Sequence, residues 1–240
     1  MSANRLGSWS ALAIFLLGVA YFVTLTIAVS VHGLTAPIVD PILAVMEVLT
    51  LISAPLMVIV ISAIHSYATA DRKIYGLIAL AFIIVFATMT SAVHFVELTA
   101  IRQRGSGGMI WPSPAYAVEL LAWNLFLGLA LLFAAPVFAG SGPERGVWRG
   151  LLISGALCVA GIVGPAVGNM RLQLVGVLGY AVALPGCLPY AGQAISQRPQ
   201  PCFALRRLTN VAADKHFRKR LRCNGDSVLA PETKALDSTN

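Results

Sequence analysis

A chain of 240 residues that is 58% apolar and only 11% charged lies far from the composition of a soluble domain, where about a quarter of residues are charged. The net charge of +7 would suggest a nucleic-acid partner if it were spread over a fold. It is not: residues 1–195 hold eight Lys/Arg against six acids, and residues 196–240 hold nine against four. The division predicts a transmembrane domain over 1–195 and a basic, largely disordered tail over 196–240, with no nucleic-acid binding expected.

The N-terminus carries one basic residue, Arg5, ahead of a long apolar run without a small-residue cleavage site, and reads as a retained first helix. Stretches near the twenty residues needed to cross a bilayer then recur six times, over 9–31, 42–64, 74–99, 115–138, 147–168 and 172–195. Backbone groups cannot go unpaired in lipid, and the segments are too uniformly apolar for an outer-membrane barrel. The expected fold is all-α, a six-helix transmembrane bundle. Lys and Arg set its orientation. Arg5, Arg72, Lys73, Arg145, Arg149 and the nine basic residues of the tail fall on one side, against Arg102, Arg104 and Arg171 on the other. The positive-inside rule then makes both termini cytoplasmic, in a plasma membrane or bacterial inner membrane.

The fifth span carries Gly161, Gly164 and Gly168, and the last two form a small-xxx-small pair suited to close helix contact. In the sixth, Pro185 and Pro189 remove backbone donors and predict a kink or break. Beyond it, Arg206, Arg207, Lys215, Arg218, Lys219, Arg220 and Arg222 make a juxtamembrane cluster expected to meet anionic lipid headgroups. Cys158 and Cys187 fall in spans and Cys202 and Cys223 in the tail, without metal-finger spacing, so free thiols are expected.

The candidate site comes from the few polar residues inside the spans. Thr90, His94 and Glu97 share one face of the third helix. A charge at the centre of a bilayer costs up to about 3 kcal/mol on insertion scales, so such residues point to function. Glu47 lies six residues into the second helix, about 9 Å deep at 1.5 Å per residue. Glu119 sits similarly in the fourth, with Trp123 one turn on. Each follows a proline in a similar local pattern, Ala44-Val-Met-Glu47 and Ala117-Val-Glu119, which hints at a repeat. All three glutamates and His94 are expected at one level, toward the non-cytoplasmic side, near Arg171.

Three chemistries fit these residue types. Glu47, His94, Glu97 and Glu119 are a donor set for a divalent metal. The same groups suit proton exchange in a transporter. With Trp111, Tyr116 and Trp123 they could line a site for a small cationic or polar ligand. Against these stands a structural clasp of glutamates with Arg102, Arg104 or Arg171. The leading expectation is a small transporter or ligand-responsive membrane protein, with a metal-dependent membrane enzyme or an interaction protein without a site as alternatives. No HExxH, Walker loop, dinucleotide fingerprint or Gly-x-Ser-x-Gly elbow is present, so neither enzyme class nor cofactor follows. Self-association into a homo-oligomer stays open.

Overall fold

The computed structural model describes residues 3–33, 38–103, 110–140 and 142–197. Six helices in it are long and apolar enough to cross a membrane: Asn4–His32, Ile42–Tyr67, Lys73–Ile101, Pro114–Phe138, Glu144–Ala166 and Met170–Gln197. No strand occurs among the described residues. The expectation of six membrane-length helices and no sheet therefore holds. Arg104 and the basic cluster of the tail, from Arg206 to Arg222, lie outside the described residues.

Local chemistry sets the helix starts. The Asp40 carboxylate accepts from the backbone N–H of Ala44 at 3.2 Å. Ser113 accepts from the N–H of Tyr116 at 3.2 Å, with Pro114 in the first turn, where a missing N–H costs nothing. Asn169 accepts from the N–H of Arg171 at 3.1 Å. Polar side chains within the spans satisfy themselves locally: Thr24, Thr26 and Ser30 each donate to the carbonyl four residues earlier, as an apolar solvent requires.

Each helix packs against its successor, and the first also packs against the sixth, closing a ring of six. Its interior is filled by Ile61, Ile64, Ile83, Phe86, Leu127, Leu131 and Ile195, all 2% exposed or less. The outer surface is just as apolar. Trp9, Phe22, Phe95, Leu174 and Val182 are all more than half exposed, an arrangement suited to lipid and not to water.

Lipid provides no hydrophobic drive between helices, so close backbone approach and interhelical hydrogen bonds hold the ring. Ser8 of the first helix donates to the Gly192 carbonyl of the sixth at 2.6 Å, and Ser154 of the fifth donates to the Gly179 carbonyl at 2.8 Å. The glycine pairing differs from expectation. Gly161 approaches Gly176 so closely that an added Cβ would meet its Cα at 2.5 Å, and Gly164 lies against Gln173. Gly168, in contrast, has a φ of +72° and open space around it. It is the turn residue between the fifth and sixth helices, chosen for its backbone conformation and not for contact.

The sixth helix is not broken at its prolines. A π-helical segment, Leu178–Ala183, precedes Leu184–Gln197, which contains Pro189. The wider π turn lets the chain accommodate residues that cannot donate to the helical ladder. Two further π segments, Glu97–Ile101 and Leu121–Leu127, interrupt the third and fourth helices.

Candidate functional site

Five polar side chains from three helices are buried at one end of the bundle. Thr90 is fully buried, Glu47 and Glu97 are 4% exposed, Glu119 5% and His94 6%. Burial this deep is tolerable only when polar atoms find partners, and here Thr90 and His94 converge with Trp123 on one carboxylate oxygen of Glu119. Glu119 Oε1 accepts from Thr90 Oγ1 at 2.6 Å, pairs with His94 Nε2 at 2.8 Å and accepts from Trp123 Nε1. Trp123 Nε1 also reaches Thr90 Oγ1 at 3.1 Å.

Helix geometry produces this convergence. Thr90 and His94 are one turn apart on the third helix, and Glu119 and Trp123 are one turn apart on the fourth, so two facing pairs close a four-membered polar contact. Trp123 is held from both sides: Phe86 meets it edge-on at 5.0 Å between ring centroids, and Tyr180 of the sixth helix lies 4.9 Å away. Its indole therefore serves as an interior donor, not as the interfacial anchor that its residue type suggests.

A second layer surrounds the pair. Glu47 lies within electrostatic range of His94, Glu97, Asp40 and Arg102. Asp40 and Arg102 form an ion pair at 2.8 Å, each nearly half exposed. So Arg102 pairs with Asp40, while Arg104, the other arginine of this loop in the expected clasp, lies outside the described residues. Arg171 is exposed at the start of the sixth helix and makes no ion pair with the glutamates among the described residues.

Three buried atoms facing this region have no hydrogen-bond partner among the described residues: Glu47 Oε1, His94 Nδ1 and Glu119 Oε2. The imidazole thus engages Glu119 through one nitrogen and leaves the other uncommitted. No group of three or more His, Cys, Asp or Glu side chains among the described residues has an arrangement that could hold a metal ion.

Thr90 and His94, and Glu119 and Trp123, expected as one-turn neighbours on their own helices, meet across the third and fourth helices, and the first and sixth add residues that the sequence did not single out. Tyr21 lies within electrostatic range of Glu119, Glu47 and Tyr116. Tyr180 receives a hydrogen bond from Gln173 at 3.2 Å while it contacts Trp123. Asn124, beside Trp123 in the same π segment, is fully buried against Gly161 and Gly176. The available signal was a hydroxyl or amide deep in a span, too far from either end to be an interface anchor. No family model, curated protein or solved structure matches the chain.

Proposed function

We propose that the chain is a small multi-pass transporter of a plasma membrane or bacterial inner membrane, in which His94, Glu119 and Glu47 take up and release a proton coupled to passage of a small polar or cationic solute. The observation that carries this reading is the buried His94–Glu119 contact at 2.8 Å with His94 Nδ1 left unpartnered among the described residues. With Nε2–H donated to Glu119, Nδ1 is an acceptor. A proton arriving there creates an imidazolium within reach of two carboxylates, Glu119 and Glu47, and its departure restores the neutral ring, with Glu119 still accepting from Nε2–H, Thr90 and Trp123.

Burial favours the proton as the species bound at rest. A solute would have to part the helices to reach groups that are more than nine-tenths buried, whereas a proton needs no cavity. The π segments at Glu97 and Trp123 are where such a rearrangement would begin, since π turns mark sites where helix register shifts. The Lys/Arg distribution supports both termini on the cytoplasmic side and the polar cluster toward the opposite face. A metal-dependent enzyme on the same residues is the weaker reading, because the donors do not converge as a ligand set.

Solid-state NMR of the full chain, labelled with ¹⁵N-histidine and reconstituted in lipid, tests the reading. The resonances removed by His94→Gln should titrate reversibly, and Glu119→Gln should displace that titration, while Arg171→Gln leaves it in place. A His94 signal that does not change over the pH range in which the protein stays folded would sink the proton-binding reading.

A further inference from the structure

Away from the polar cluster, the start of the fifth helix and the end of the sixth enclose a groove of about 530 Å³ lined by Gly142, Gly146, Gly150, Ile153, Gly186 and Tyr190, among others. Glycine makes the groove. Gly142, Gly146 and Gly150 follow one another at four-residue spacing, one row of the helix surface. A Cβ at Gly142, Gly146 or Gly186 would meet no atom within 4 Å, whereas Gly150 rests on Cys187 and forms the floor. Tyr190, 63% exposed, and Ile153, 55% exposed, are its apolar walls.

The adjoining row of the same helix surface is Arg145, Arg149 and Ile153, so the row that lines the groove at Ile153 carries two arginines beside it toward the helix start. Both arginines are exposed, and neither pairs with a carboxylate among the described residues. Their neighbour Glu144 instead accepts a hydrogen bond from Tyr67. Two unpaired guanidinium groups at the end of a membrane-length helix sit at headgroup level, and guanidinium is the side chain best matched to phosphate.

From this arrangement we propose a binding site for one anionic glycerophospholipid, its phosphate held by Arg145 and Arg149 and an acyl chain lying along the glycine groove. Charge selects this occupant over a second copy of the chain. A two-fold contact through this face would bring four arginines together, while the adjacent carboxylate, Glu144, is engaged by Tyr67 of the second helix. Basic pockets between transmembrane helices are a recurrent way of holding anionic lipid heads.

Native mass spectrometry of the full chain in detergent, with added dioleoyl phosphatidylglycerol or dioleoyl phosphatidylcholine, tests the proposal. The wild type should retain one phosphatidylglycerol in preference to phosphatidylcholine by roughly ten- to thirty-fold, from two charges at the surface. Arg145→Gln with Arg149→Gln should abolish the preference. Gly146→Leu with Gly186→Leu, which places side chains into open space and so should leave folding intact, should reduce retention of both lipids. Inorganic phosphate should not compete, since it lacks the chain that fills the groove. Equal retention of the two lipids, a preference that survives the arginine changes, full competition by phosphate, or a dimer that Gly146→Leu disperses would each overturn the proposal.

Discussion

Glu119 concentrates the chemistry of the site on a single oxygen, which takes His94, Thr90 and Trp123 together. These partners are not equivalent. Removing the ring nitrogen with His94→Phe leaves a buried carboxylate without its one basic partner, a loss of about 3 to 5 kcal/mol when a buried pair is broken on one side. Thr90→Val removes one neutral hydroxyl, and hydrogen bonds between membrane helices are worth about 0.6 to 2 kcal/mol. Thermal unfolding in detergent should therefore show a clearly larger drop for His94→Phe than for Thr90→Val. The reverse order would mean that the imidazole is not what stabilises Glu119. Most of this set was legible in the sequence, because Thr90, His94, Glu119 and Trp123 are polar or amphipathic residues at one-turn spacing in apolar spans. Glu119 as the common acceptor was not legible, since that depends on how the third and fourth helices face each other.

Among the elements, the fifth and sixth helices show how the same residue type serves two purposes. Gly161 sits where the two backbones nearly touch, and Gly168 sits in the turn with a φ of +72°. Gly161→Ala forces a methyl group against the Gly176 backbone, which cannot move aside as a flexible side chain can, and should cost about 1 to 3 kcal/mol. Gly168→Ala meets no neighbour and costs only the left-handed conformation, about 1 to 2 kcal/mol. The decisive measurement is a double change with Gly176→Ala. Gly161 should couple strongly to Gly176, and Gly168 should not couple to it at all. The π segments belong to this scale as well. They fall at Glu97, Trp123 and Tyr180, where side chains of the site or its surroundings must leave the regular helical period. A pattern of apolar residues does not reveal such a shift, because lipid-facing and core-facing residues are equally apolar.

Across the whole bundle, the proposed orientation can be read directly. After Cys202→Ser and Cys223→Ser, Asp71→Cys and Ile110→Cys would present thiols at opposite ends, both positions being exposed and the remaining Cys158 and Cys187 buried. In sealed cells, a membrane-impermeant maleimide should label the position-110 variant and leave the position-71 variant unlabelled until the membrane is opened. The opposite pattern would invert the bundle and turn the polar cluster toward the cytoplasm. The sequence alone determined that the chain makes six apolar helices, since only helices and closed barrels pair their backbone in lipid and these uniformly apolar stretches lack the alternation of a barrel. It also determined which polar residues would be costly enough to need partners. Only the tertiary structure decided that the first helix meets the sixth, that Tyr21 and Tyr180 join the surroundings of Glu119, and that Arg102 turns to Asp40. The reason is physical. In water an apolar stripe shows which face of a helix turns inward, but in lipid both faces are apolar, so helix rotation is set by glycine contacts and hydrogen bonds between distant residues.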